Sequence, residues 1–148
     1  MAELICRAAT AADLSALLDI EARASHDPWG ESAILSQLAS EVGLSLVCEA
    51  GGRVVGSLYL SLLPPEGEVL ALAVLPEARR RGIGRFLLEN GMKTLTNGGA
   101  CVLYLDVRET NAPARALYAA LGFTECGRRR GFYSHPREDA VLMRRELI

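Results

Sequence analysis

The spacing of apolar residues changes several times along the chain, and each change marks an element. Leu4 to Arg7 reads as a short first strand. Leu14, Leu17, Leu18 and Ile20 recur at helical spacing up to about Ala24, with Thr10 as cap and Asp13 three residues later in capping-box position. His26-Asp27-Pro28-Trp29-Gly30 breaks that helix. A second helix fits Glu31 to Ser40, with Ile34, Leu35 and Leu38 turned inward. Leu44 to Ala50 and Arg53 to Leu62, joined by Gly51-Gly52, predict a β-hairpin. Pro64-Pro65-Glu66-Gly67 predicts a turn, and the unbroken apolar run Leu70 to Leu75 a buried strand. Pro76, with no N–H to donate, ends that strand's pairing.

Arg79, Arg80 and Arg81 then lead into Gly82-Ile83-Gly84, and a helix starts at Ile83, Phe86, Leu87 and Leu88 and stops at Asn97-Gly98-Gly99. In the strand Ala100 to Val107, alternation sets Val102, Tyr104 and Asp106 on one face and Cys101, Leu103 and Leu105 on the other. Asn111 caps a helix from Ala112 to Leu121, with Pro113 in its first turn and Gly122 as its stop. Phe123 to Arg130 and Ala140 to Leu147 are the last two strands, around a loop from Gly131 to Asp139. The order β-α-α-β-β-β-α-β-α-β-β predicts an α/β fold with a mixed sheet.

The strand–turn–helix from Leu70 to Asn90 carries the most chemistry. A helix begins with N–H groups that have no partner inside it, and its N-terminus bears partial positive charge. Glycines at 82 and 84 leave those groups approachable, and three arginines add attraction, which makes an anion site suited to a pyrophosphate. It is not a Walker loop, because no Gly-Lys-Ser/Thr occurs. Nor is it the dinucleotide fingerprint, because Leu87 stands where the third glycine belongs.

At 148 residues, half of them hydrophobic and 23% charged, residues 1–148 are expected to form a single globular domain. A net charge of −2 argues against direct nucleic-acid binding despite the arginine cluster. Cys6, Cys48, Cys101 and Cys126 are dispersed and only two histidines occur, so no metal site is expected. Reduced, mostly buried thiols in a cytoplasmic protein are the expectation. No signal segment and no apolar run of membrane-crossing length is read, so no membrane partner is expected. Nothing in the pattern fixes an oligomeric state.

Arg79-x-x-Gly82-x-Gly84 resembles the Gln/Arg-x-x-Gly-x-Gly/Ala signature of the GNAT superfamily of N-acetyltransferases. Leu103 to Asn111 (LYLDVRETN) and Ala114 to Phe123 (ARALYAALGF) resemble the second half of that family. Ile20-Glu-Ala-Arg, Pro28-Trp29 and Arg137 to Met143 (REDAVLM) resemble, more narrowly, the branch that acetylates the N-terminal alanine of small-subunit ribosomal protein eighteen. The resemblance covers nearly the whole chain. It implies a mostly antiparallel seven-stranded sheet flanked by four helices, acetyl-coenzyme A as cosubstrate, no metal, and a ribosomal protein N-terminus as acceptor. A lysine or small-amine acceptor, or a non-catalytic acetyl-coenzyme A-binding assembly factor, are the competing readings.

The same resemblance assigns site residues. Tyr118 is the expected acid for the departing thiolate, and Asp106 the expected general base, although relatives usually carry the longer glutamate there. Leu72, Ala73 and Val74 match the strand segment that pairs with the pantetheine amides. Arg80, Arg81, Gly82, Ile83, Gly84 and Arg85 match the pyrophosphate turn, and Asn111 a residue near the reactive end of the cofactor. Trp29 and Tyr133 fall in the two loops that clamp the acceptor. Each has an ordinary structural reading as well. Tyr118 can be a packed helix tyrosine, Asp106 a strand-end carboxylate bonded to backbone or paired with Arg108, and Asn111 a helix cap. Trp29 can be a cover for the core edge. Glu68 and Glu109 are reserve bases, read chiefly as solvated. Arg128, Arg129 and Arg130 read as a solvated strand end.

Overall fold

The computed structural model describes residues 3–147. Seven strands and four α-helices follow the predicted order: β1 (Leu4–Ala8), α1 (Leu14–Ala24), α2 (Glu31–Ala39), β2 (Gly43–Ala50), β3 (Arg53–Leu63), β4 (Glu66–Val74), α3 (Ile83–Asn97), β5 (Val102–Arg108), α4 (Ala112–Ala120), β6 (Thr124–Tyr133) and β7 (Glu138–Glu146). The sheet runs β1-β2-β3-β4-β5-β7-β6. Its neighbours are antiparallel except β4 and β5, where α3 carries the chain over and returns it in the same direction.

Each face of the sheet has its own apolar cluster. Ile83, Leu87, Leu88 and Leu95 of α3, with Tyr118 and Leu121 at α4, join Leu58, Leu60, Val69, Leu103 and Leu105 of the sheet. Leu17 of α1 and Ile34 of α2 join Val47 and Tyr59 in a smaller cluster, with Trp29 and Ala71 packed against it.

Four local expectations are corrected. The first turn after Thr10 is 3-10 (Ala11–Asp13), and the α-helix proper starts at Leu14; the Thr10 N–H still donates to Asp13 Oδ2 at 2.8 Å. β4 starts at Glu66, so only Pro64-Pro65 turns. Glu66 and Glu68 point outward while Gly67 and Val69 are buried, an alternation that the bulky apolar run after it masks. Leu70 is exposed rather than buried, because the β3–β4 register shifts there: Tyr59 faces Ala71 and Leu60 faces Val69, which leaves Leu70 as an extra residue. The last hairpin is longer than expected. Tyr133 pairs with Glu138, so the loop shrinks to residues 134–137.

The cysteines also depart from expectation. All four are free, but only Cys48 is buried, whereas Cys101 and Cys126 are exposed.

Candidate active site

The bulge at Leu70 coincides with a split in the sheet. β4 pairs with β5 only from Glu66 to Val69, against Val102 to Leu105. Beyond that point Ala71 to Val74 still pair with β3, while Asp106 to Arg108 pair with β7. Leu72, Ala73 and Val74 therefore have a strand edge that no other strand covers among the described residues. Such an edge presents unpaired N–H and C=O groups to any peptide-like chain that can lie along it.

The upper end of this gap runs into the glycine turn. Pro76–Ala78 forms one 3-10 turn, and Arg80 (φ 63°) and Gly82 (φ 74°) take left-handed conformations that swing the chain into α3. A Cβ on Gly82 would meet nothing within 4 Å, so the space in front of this turn is open. Gly82 is also the N-cap of α3 and supplies no side chain to cap it. The first intrahelical bond is Phe86 N–H to Gly82 O at 2.9 Å, and the N–H groups of Ile83, Gly84 and Arg85 precede it. Ile83 buries its side chain in the core, so only its backbone is offered. Arg80, Arg81 and Arg85 are exposed around the turn, and Arg85 is 3.5 Å from Glu89.

Gly84 has a reason beyond ligand access. A Cβ there would lie 3.2 Å from Leu117 Cδ2 and 3.6 Å from Leu72 Cδ2. It therefore also lets the start of α3 sit close to α4 and β4.

Asn111 starts α4, and its Oδ1 accepts the Ala114 N–H at 3.2 Å, so its reading as a helix cap holds. The helix places Tyr118 against Phe123, edge to face with ring centroids 5.6 Å apart. Burial drives the Tyr118 phenol's pKa far above its ordinary value, and the neighbouring Tyr133 adds to the rise. The phenol thus keeps its proton throughout any working pH range.

Asp106 lies on the other face of β5, since Leu103, Leu105 and Val107 are the buried positions. Its partner is Arg129, whose Nε is 3.4 Å away. The alternative pairing with Arg108 does not occur, because that guanidinium is taken by Asp27 and Glu138. Glu68 is exposed, as expected, on the stretch of β4 that pairs with β5. Partial desolvation raises its pKa first and the Asp106 charge second, while Arg129 pulls the other way. Two carboxylates and one arginine thus share this side of the cleft. Glu109 is a surface group as expected, 2.7 Å from Arg128. The run Arg128 to Arg130 is exposed, as expected, but two of its three members are ion-paired.

Tyr133 ends β6 and is electrostatically coupled to Asp106 and to Tyr118. Its phenol is pushed up to about 12 by burial and then by Asp106, and it in turn bears on Tyr118. The Arg108 guanidinium lies over its ring, 4.5 Å from the centroid. Trp29 stacks on fully buried Tyr59, with centroids 4.7 Å apart and planes 22° from parallel, so it does cover the core edge. The Trp29 backbone N–H donates to Glu21 Oε1 at 2.9 Å. Glu21 is buried, which raises its pKa, and its Oε2 has no partner.

Sequence reasoning missed Arg108, Asp27 and Glu21. The available signal for Arg108 was a charged residue at the Asp106 parity of a strand whose other positions are apolar. Glu21 carried a weaker one, an acid beside Ile20 on the inward stripe of α1.

This combination of a split mixed sheet, a glycine turn capping a helix and a buried phenol beside the gap defines an acyltransferase class. The pattern of the acetyltransferase (GNAT) family matches residues 14–123, and the chain belongs to that family. Within it, the chain is similar to the RimI-type enzymes. It is 38% identical over 133 residues to the [ribosomal protein bS18]-alanine N-acetyltransferase of Salmonella typhimurium, spanning 88% of this chain and 89% of that one. It is 39% identical over 145 residues to the N-alpha-acetyltransferase RimI of Mycobacterium tuberculosis, spanning 94% and 90%. The crystal structure of the ribosomal-protein-S18-alanine N-acetyltransferase from Escherichia coli superposes with a TM-score of 0.91 at 33% identity, over 98% of this chain and 94% of that one.

Proposed function

We propose that residues 1–148 form one cytoplasmic N-acetyltransferase domain that transfers the acetyl group of acetyl-coenzyme A to a protein N-terminal α-amine. The acceptor in this reading is the N-terminal alanine of small-subunit ribosomal protein eighteen, the substrate named for the bS18-acetylating relatives. The observation that carries it is the uncovered edge of Leu72 to Val74, which opens at one end on the bare amides of the glycine turn. No helix among the described residues is long and apolar enough to cross a membrane.

The residues present fit the cofactor. The amides at Gly82 to Arg85, with Arg80 and Arg81, bind the diphosphate. Leu72 to Val74 bind the amides of the pantetheine arm as an added strand would. Asn111 spends its Oδ1 on the helix cap and has its amide N–H groups left for the cofactor. Trp29 and Tyr133 border the acceptor entrance.

An α-amine has a pKa of about 7.7–8.0, so it is partly neutral near pH 7, whereas a lysine amine at about 10.4 is almost wholly protonated. The neutral nitrogen attacks the thioester carbonyl. The N–C bond forms and the C–S bond breaks. The amine proton passes to Asp106, directly or through a water that makes up for its short side chain. Tyr118 gives its proton to the departing sulfur and recovers one afterwards from solvent. Positioning the two reactants supplies much of the acceleration.

The test is an acetylation assay on three acceptors: a peptide with a free N-terminal alanine, an N-blocked peptide with an internal lysine, and a polyamine. Transfer confined to the free alanine terminus is expected. Transfer to lysine alone would overturn the reading.

A further inference from the structure

Arg108 is buried to 6% side-chain exposure, yet it takes no part in the chemistry described above. A guanidinium has five N–H donors in a fixed plane. Here all five are used. Nε donates to Asp27 Oδ2 at 2.9 Å, and Nη2 to Asp27 Oδ1 at 2.8 Å and to the Ser134 carbonyl at 3.0 Å. Nη1 donates to the Pro136 carbonyl and to Glu138 Oε1, both at 3.0 Å. The second oxygen of Glu138 accepts the Thr110 N–H at 2.6 Å, which ties the end of β5 into the same network.

These acceptors come from two places far apart in sequence. Asp27 lies in the connection from α1 to α2, two residues before Trp29. Ser134 and Pro136 lie in the β6–β7 loop, next to Tyr133, whose ring also stacks under the guanidinium. None of the five contacts involves Leu72–Val74 or Arg80–Arg85.

We propose that Arg108 is a positioning residue that fixes the distance between the two acceptor loops, and so sets the acceptor's affinity without touching the cofactor. This role rests on the proposed function, since it takes those loops as the acceptor entrance. A planar, bidentate fork is required. A lysine at 108 would keep the charge but offer three donors from one point, too few and in the wrong geometry for both loops.

The test uses Arg108→Lys, Asp27→Ala and Asp27→Glu in the full chain, with KM measured separately for an alanine-terminus peptide and for acetyl-coenzyme A. Asp27 is 48% exposed and its replacement keeps the Arg108 bonds to Ser134, Pro136 and Glu138, and a thermal melt of each variant establishes that the fold is retained before KM is compared. Asp27→Ala is expected to raise the peptide KM about ten-fold, the size expected for losing a charged hydrogen-bonded pair at a half-exposed site. The KM for acetyl-coenzyme A stays within about two-fold in that account, because no cofactor-facing group is touched. Asp27→Glu, which restores the carboxylate, should recover most of the loss. Amide hydrogen exchange in Asp27→Ala should quicken in both loops, not only in the one mutated.

A peptide KM unchanged by Asp27→Ala, or equal rises in both KM values, would overturn the role. Wild-type protein that acetylates no peptide terminus overturns the proposed function and this role together. Activity on the alanine terminus with an unmoved peptide KM overturns the role alone.

Discussion

Tyr118→Phe is expected to fold as wild type does, to bind acetyl-coenzyme A with unchanged affinity, and to lose roughly 10²–10⁴-fold in kcat, the range for a positioned general acid. The substitution removes one oxygen from a residue that is otherwise held by packing. The ring keeps its edge contact with Phe123 and its place in the larger core. Burial and Tyr133 hold the phenol neutral, so the hydroxyl has a proton to give until the moment the thiolate leaves. A phenylalanine cannot give one, and the sulfur must then depart as the free anion or wait for water. The comparison is kcat at saturating acetyl-coenzyme A, with a thermal melt alongside to establish that the fold is retained. Unchanged turnover would remove Tyr118 from the mechanism and return it to the role of a packed side chain.

Gly82→Val is expected to weaken acetyl-coenzyme A binding by about 10–100-fold, the equivalent of losing one or two charge-assisted hydrogen bonds. The reason is backbone conformation. At φ 74° a β-branched residue is strained by roughly 1–2 kcal/mol, and relaxing it rotates the first-turn amides of α3 away from where they now point. A Cβ at this position meets no protein atom within 4 Å, so the core is not the casualty; the added bulk occupies the open side of the turn where the diphosphate is to lie. Gly82→Asn is the control, because asparagine tolerates the left-handed region and should lose less. Calorimetric titration with acetyl-coenzyme A distinguishes them, and equal affinities for wild type and the valine variant would show that the diphosphate does not use this turn.

The elements were readable because their signals are local. Apolar periodicity over Leu14 to Ile20, the Gly51-Gly52 pair between the hairpin strands and the Asn111–Pro113 helix start all act within a few residues. The left-handed glycine turn into α3 was readable for the same reason. The split between β4 and β5 was not, since a strand that loses one neighbour halfway along keeps the same alternation. It depends on the Leu70 bulge, which depends in turn on the register against Tyr59 and Leu60. The partners of the charged groups were equally hidden. Arg108 and Asp106 stand two apart on one strand face, and the natural guess joined them. Folding brings Asp27 from 81 residues away and Arg129 from the edge strand, and these take one partner each. Gly84 was read only as a means of ligand access, because the side chains of Leu117 and Leu72 converge on it through tertiary contact alone.

The most direct measurement is a crystal structure of the protein with acetyl-coenzyme A. The pantetheine arm is expected to be hydrogen-bonded along Leu72 to Val74, the diphosphate to lie on the amides of Gly82 to Arg85, and the thioester sulfur to come within hydrogen-bonding reach of the Tyr118 hydroxyl. Cofactor bound elsewhere, or β4 and β5 zipped together along their whole length, would contradict this placement.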